Sequence, residues 1–209
     1  MTEAEFHRCD DPHTLLDLFR VGAGERKPRL LACGFCGRLW QLLPSESREA
    51  LVICERFADG LATEEELLRA HERAVEGHRR VNRQISYKKR TIRPPARAAL
   101  LVAAAAEDAW AAARDAVLAS IDLFGNPQLD LLRCVFGDPS RPTTLDPSGL
   151  TASVIELAVT VYEERSFERL PELARALEGA GCTDAVLAHL RSPAPHVRGC
   201  HALDAVLGR

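Results

Sequence analysis

Two short segments of this chain carry residue types that bind metals or exchange electrons. Cys33-Gly34-Phe35-Cys36-Gly37 places two thiols three positions apart, and His196 and Cys200 lie four positions apart, which would put them on one face of a helix. Thiolate and imidazole groups are the usual ligands of structural zinc. The sequence therefore offers a three-cysteine, one-histidine zinc site made of Cys33, Cys36, His196 and Cys200, with His189 as an alternative fourth ligand.

The Cys33–Cys36 pair has two other interpretations. Leu30, Cys33, Cys36, Trp40 and Leu43 recur at helical spacing, which predicts one buried face on a packing helix. Buried cysteine acts as a small apolar residue, and that interpretation, with no cofactor, is favoured over zinc. A redox dithiol would need a lowered thiol pKa at a helix start that follows a strand, and no alternating strand and helix pattern surrounds the pair.

The positive charge of the chain is concentrated in one segment. Ten basic and two acidic side chains lie between Arg69 and Arg97, so this segment carries +8 and the remainder −11, against −3 for the whole chain. Such a segment can contact phosphate groups, or it can be a solvated helix face or pair with an acidic partner. A nucleic-acid or anion site within 79–93 would consist of Arg79, Arg80, Arg83, Lys88, Lys89, Arg90 and Arg93.

The chain carries no signature of a catalytic site. It has no Gly-x-Ser-x-Gly, no His-Glu-x-x-His and no phosphate-binding glycine loop, so no catalytic residue is predicted. We therefore expect a non-enzymatic interaction or scaffold module with a protein as its partner. Its contact surface would be the basic helix face or the proline-rich loop 137–149. Nucleic-acid binding and zinc stabilisation are the alternatives.

Composition predicts a cytoplasmic protein. Seven cysteines are an odd number, the chain is long enough to fold without disulfides, and its start is acidic where a signal peptide would be basic. The most apolar run, 98–106, has nine residues, whereas a membrane-spanning helix needs about 20. We expect a reducing compartment and no membrane association.

The fold is predicted to be all-α, a helical bundle or stacked helix pairs. Of the 209 residues 46% are hydrophobic but only 5% aromatic, and alanine and leucine dominate, which favours helix over sheet. Asp11 before Pro12 predicts a helix start, as does the capping box Thr63-x-x-Glu66. Two long helices over about 63–120 would form a central hairpin. Residues 1–124 would be an N-terminal helical domain, with 125–209 packed on it as one unit.

Several stretches near the two ends resemble a known protein family. They are the start Met1-Thr-Glu-Ala-Glu-Phe-His-Arg-Cys-Asp-Asp-Pro12, the segment Ala32-Cys33-x-x-Cys36-x-Arg38-x-Trp40, and the runs 167–171, 180–184, 187–189 and 195–200. In these stretches the chain is similar to an expanded family of uncharacterised bacterial proteins that is abundant in planctomycetes, and the similarity brings no activity with it.

The resemblance implies a shared role for a set of cysteines and histidines, either in a metal site or at a packed junction of the two ends. The matching positions are Cys9, Cys33, Cys36, Cys182, His189, His196 and Cys200; Cys54 and Cys134 do not match. The chain departs from the family at Gly34, Gly37 and His201, where Ala, Arg and Trp are expected. Ala and Arg would suit a continuous helix at Cys33–Cys36.

Overall fold

The computed structural model describes residues 3–21, 24–84, 108–124, 129–141, 143, 145–182 and 185–209. These residues form an all-α fold without strands, which confirms the predicted fold class. They divide into two compact units. The N-terminal unit is Cys9–Leu129, and the C-terminal unit combines Met1–Arg8 with Asp130–Arg209.

The helices of the described ranges are numbered here in chain order. They are α1 (Glu3–Arg8), α2 (Pro12–Arg20), α3 (Arg26–Gly37), α4 (Ser45–Ala58), α5 (Glu64–Gln84), α6 (Ala109–Phe124), α7 (Leu129–Phe136), α8 (Ala152–Glu164), α9 (Leu170–Gly179), α10 (Ala185–Leu190) and α11 (His201–Leu207). Short 3-10 turns lie at Trp40–Leu42, Pro147–Gly149 and Phe167–Arg169.

Two helix starts are capped as their sequences predict. The Asp11 carboxylate accepts hydrogen bonds from the backbone N–H groups of His13 (3.2 Å) and Thr14 (2.9 Å), and Pro12 takes the first helical position of α2. At α5 the Thr63 backbone N–H donates to Glu66 (2.7 Å), while the Glu66 N–H donates to the Thr63 hydroxyl (3.2 Å). Both caps satisfy backbone N–H groups that the first helical turn leaves without partners.

Helix α3 is the centre of the N-terminal unit. Its residues from Leu30 to Cys36 are all buried, and it packs against α4 and α6. The residues of α6 that are buried in this unit are mostly small; they are Ala109, Ala112, Ala113, Ala116, Val117 and Ser120. Small side chains let helix backbones approach closely, so the alanine-rich sequence of α6 fits a helix in the interior.

The two described parts of the predicted hairpin 63–120 pack against other helices. Helix α5 lies along α4 and α6 lies along α3, while 85–107 falls outside the described residues. Between α5 and α4, Arg73 pairs with Glu49 at 2.9 Å and Arg80 pairs with Glu46. Two arginines of α5 thus meet acidic side chains of the neighbouring helix.

The C-terminal unit is a stack of short helices around one core. Helix α8 packs against α9 and α11, and α10 packs against α9 and α11. The apolar residues that these helices bury include Tyr162, Leu170, Leu173, Leu177 and Leu203.

Helix α1 belongs to the C-terminal unit. The domain boundary predicted at 124 stays a prediction. The Arg133 guanidinium of α7 lies over the buried Phe6 ring, 5.8 Å from its centroid, and donates to the carbonyls of Phe6 and His7. His7 also pairs with Asp138 at 3.3 Å. These contacts hold the start of the chain against α7 and the residues that follow it.

None of the described helices has the length and apolar character that a membrane span requires.

The Asp11 cap gives a test of the N-terminal unit. Replacing Asp11 with Ala should lower the free energy of unfolding by about 1 kcal/mol at neutral pH, because two backbone N–H groups lose their acceptor. Hydrogen bonds from Thr14, first from its hydroxyl and then from its backbone, lower the pKa of Asp11 below 3.8. The charged cap therefore stabilises the fold above that value, and its contribution is lost as the pH falls through the lower folded pKa.

Asp11→Asn is the matched control, because it keeps a capping oxygen without the charge. Urea unfolding followed by circular dichroism should show the difference between Asp11→Ala and wild type narrowing at acidic pH, where the charge of the cap is lost, while Asp11→Asn stays near wild type at neutral pH. An Ala variant as stable as wild type at neutral pH would contradict the role of the cap.

Candidate metal centre

Four potential metal ligands converge in the C-terminal unit. Cys134 lies on α7, His189 near the end of α10, His196 in the connection between α10 and α11, and Cys200 directly before α11. Each offers one ligand atom, and these atoms all lie within 4.8 Å of one another. Both cysteines are buried and both histidines are half-buried. Within the described parts of the chain, these four cysteine and histidine side chains are close enough together to hold one metal ion.

The distances within the group match the edges of a tetrahedron. Cys200 Sγ lies 3.3 Å from His189 Nε2 and 3.9 Å from His196 Nδ1, and Cys134 Sγ lies 3.7 Å from His196 Nδ1. With zinc–sulfur and zinc–nitrogen bonds of about 2.3 and 2.0 Å, tetrahedral geometry separates a sulfur from a nitrogen by about 3.5 Å. The three sulfur-to-nitrogen distances of this group lie close to that value.

The His196 ring is oriented by a backbone hydrogen bond. Its Nε2 lies 3.1 Å from the Ser192 carbonyl oxygen, which can only accept, so Nε2 carries the proton. This leaves Nδ1 facing both sulfurs. A metal-ligating histidine is commonly fixed in this way, with its outer nitrogen donating to a carbonyl or carboxylate.

The electrostatic surroundings favour the ligand form of Cys200. Hydrogen bonding with Cys134 lowers the pKa of the Cys200 thiol most, and contacts with His189 and His196 add to that effect, so that together they outweigh burial, which raises it. Burial by itself would lower the pKa of His196, but its interactions with Cys200 and the Ser192 carbonyl raise it above the ordinary value. The thiolate is the form of cysteine that binds metals.

A tight turn at Gly199 places Cys200 in this cluster. Gly199 has a φ of 84°, a left-handed conformation that glycine adopts without steric cost. The Cys200 N–H then donates to the Val197 carbonyl (3.1 Å), and the Cys200 carbonyl accepts the N–H of Asp204 (2.8 Å) to begin α11. The spacing of His196 and Cys200 predicted that they share one helix face, and this prediction was wrong, since α11 begins only at His201.

Of the predicted zinc set, the structure brings together His196 and Cys200. Their neighbours in the cluster, Cys134 and His189, belong to the same unit. Cys33 and Cys36 lie in α3 of the N-terminal unit, near Cys54. Burial, followed by the neighbouring Cys54, raises the pKa of both thiols. A reactive dithiol needs the opposite shift at a helix start, so these two cysteines have the properties of core residues.

Cys134 is the member of this group that was not predicted from the sequence. It lies among Leu131, Leu132 and Val135 in an apolar helix pattern and has no second cysteine or histidine within a few positions. It is 62 positions from His196 in the chain, so no spacing rule connects them. His189, by contrast, was recognisable as an alternative ligand because of its closeness to His196 in sequence.

The predicted nucleic-acid site is only partly within the described residues. Arg79 and Arg80 lie on α5, exposed, and pair with Glu76 (3.9 Å) and with Glu46. Arg83 is the penultimate residue of α5. The remaining members of the predicted set lie outside the described ranges; these are Lys88, Lys89, Arg90 and Arg93. Nucleic-acid binding stays a prediction.

The loop 137–149, a predicted contact surface, packs in part against its own unit. The Thr143 hydroxyl lies 2.8 Å from Nδ1 of His201, and a side chain at Gly149 would collide with the Cys182 sulfur. At least these positions of the loop are used for internal packing.

Comparisons of the chain with models of protein families, with curated proteins and with solved structures find no match.

The raised thiol pKa values predict slow alkylation in the N-terminal unit. In the native protein at pH 8, Cys33 and Cys36 should resist iodoacetamide, because they are buried and protonated, while the partly exposed Cys9 reacts. All three should react once the chain is unfolded in urea. Peptide mapping by mass spectrometry distinguishes the sites, and labelling of native Cys33 as fast as that of Cys9 would contradict a core role.

Proposed function

We propose that this protein is a non-enzymatic helical module whose C-terminal unit is stabilised by a zinc ion. The ligands would be Cys134, His189, His196 and Cys200. The observation that supports this proposal is the convergence of four ligand atoms, from distant chain positions, to within 4.8 Å of one another.

The ligand types favour zinc over other common metals. Two thiolates and two imidazoles in a tetrahedral arrangement suit Zn²⁺, whereas Mg²⁺ and Ca²⁺ prefer oxygen ligands in higher coordination. Sulfur-to-nitrogen separations of 3.3–3.9 Å support the same assignment.

A structural role fits the site better than a catalytic one. Catalytic zinc sites keep one position open for water or substrate, whereas four protein ligands would fill all four positions here. The ion would connect α7 to the end of α10 and to the start of α11, linking residues 62 positions apart in the chain. It would act as a cross-link within the C-terminal unit.

The ion pairs of α5 support a structural use of part of the basic segment. Arg69 pairs with Glu65 at 2.5 Å, and Arg73 and Arg80 pair with acidic residues of α4. These pairs involve only part of the basic segment, so a protein partner and nucleic-acid binding both stay predictions.

The zinc proposal predicts a defined stoichiometry. Protein purified with zinc present should contain about one zinc ion per chain, and a strong chelator should lower its melting temperature. If free zinc is at about 100 times its dissociation constant, its binding contributes about 2.7 kcal/mol, which corresponds to a shift of about 10–20 °C for a unit of this size. Elemental analysis and calorimetry measure both quantities.

Substitutions separate the two possible ligand sets. Cys134→Ser and Cys200→Ser should each lose the zinc, whereas Cys33→Ala and Cys36→Ala should keep it, although they lower stability in the N-terminal unit. Wild-type protein that takes up no zinc on refolding would contradict the proposal. Loss of zinc from Cys33→Ala as complete as from Cys200→Ser would point instead to the three-cysteine set.

A further inference from the structure

A third histidine packs against the proposed metal ligands. His201 is the first residue of α11 and directly follows Cys200. Its ring lies beside the ring of His189, with centroids 4.3 Å apart and planes inclined by 50°. The His189 ring also meets His196 edge-on, at 5.0 Å and 86°. His189 is thus placed between two other imidazoles.

The two proposed imidazole ligands are held in different ways. His196 donates from Nε2 to the Ser192 carbonyl, which fixes its ring directly. Among the described residues, His189 has its Nε2 near the Cys200 sulfur and its ring against the rings of His196 and His201. The orientation that points Nε2 of His189 at Cys200 therefore depends on packing.

His201 is itself fixed by the segment that follows α7. Its Nδ1 lies 2.8 Å from the Thr143 hydroxyl. On the same segment Gly137 has a φ of 73°, and a Cβ there would lie only 2.9 Å from the His201 ring carbon Cγ. The close approach of the Gly137 backbone and the Thr143 bond hold the His201 ring in place against His189.

We propose that His201 is a positioning residue of the metal centre, which holds the His189 ring so that Nε2 faces the metal. This inference rests on the proposed zinc site. His201 would bind no metal itself. Its ring would pack against His189, while the hydrogen bond with Thr143 and the close approach of Gly137 hold the His201 ring in place. Substitution of residues that orient metal ligands commonly weakens metal affinity about 10–100-fold.

Cobalt binding to the full-length chain tests this role. Co²⁺ replaces Zn²⁺ in tetrahedral sites, and its visible absorption bands are intense when four-coordinate and weak at higher coordination. His201→Ala should bind Co²⁺ about 10–100-fold more weakly than wild type. At saturating Co²⁺ its bands should also be weaker, because a misplaced His189 ring admits water as a ligand.

Two further variants separate positioning from general stability. Leu203→Ala removes a fully buried apolar side chain from the same helix and leaves all four proposed ligands in the sequence, so it should lower the melting temperature yet keep the wild-type spectrum at saturation. His201→Phe keeps a ring beside His189 and should recover most of the affinity and the band intensity that His201→Ala loses.

The outcomes are distinct for the two proposals. If wild type binds no Co²⁺, the metal site itself is refuted. If wild type binds Co²⁺ with intense bands and His201→Ala matches it in affinity and spectrum, only the role of His201 is refuted. A His201→Ala variant that resembles Leu203→Ala, with an unchanged spectrum at saturation, or a His201→Phe variant that restores nothing, would also overturn that role.

Discussion

The buried sulfur of Cys200 imposes the main constraint on the C-terminal unit. A thiolate removed from water is costly unless hydrogen-bond donors or a cation surround it. Cys134, His189 and His196 provide these contacts from α7, α10 and the connection to α11. These elements meet at one point, and the turn at Gly199 places Cys200 there.

The N-terminal unit shows what the same residue type does without such partners. Cys33 and Cys36 are as buried as Cys200, but their strongest neighbour is another thiol, Cys54, and the pKa of each is raised. Cys200 has Cys134 and two imidazoles beside it, and hydrogen bonding with Cys134, followed by His189 and His196, lowers its pKa. The difference comes from the three-dimensional neighbours, because the Cys-x-x-Cys spacing carries no imidazole with it. A spacing motif thus identifies a possible ligand pair, and the surrounding fold decides its chemistry.

Local features of this chain were predictable from sequence, and its long-range contacts were not. The all-α class and the caps at Asp11 and Thr63 depend on composition and on residues within one turn, so they were predicted correctly. The shared helix face predicted for His196 and Cys200 was wrong, because the left-handed turn at Gly199 precedes α11 and residue spacing alone does not indicate such a turn. Cys134 lies close to the other three residues because of the tertiary packing of α7, and that contact cannot be predicted from a single sequence.

The order of the four ligands along the chain indicates how a metal would stabilise the unit. His189 and Cys200 are 11 positions apart with His196 between them, so these three can chelate an ion with little loss of chain entropy. Cys134 closes a much longer loop, of 62 positions to His196, and closing a longer loop removes more freedom from the unfolded chain. The three local ligands would therefore account for capture of the ion, and Cys134 for most of the cross-linking. This division explains why a residue with no local motif can be the ligand that ties α7 to the rest of the unit.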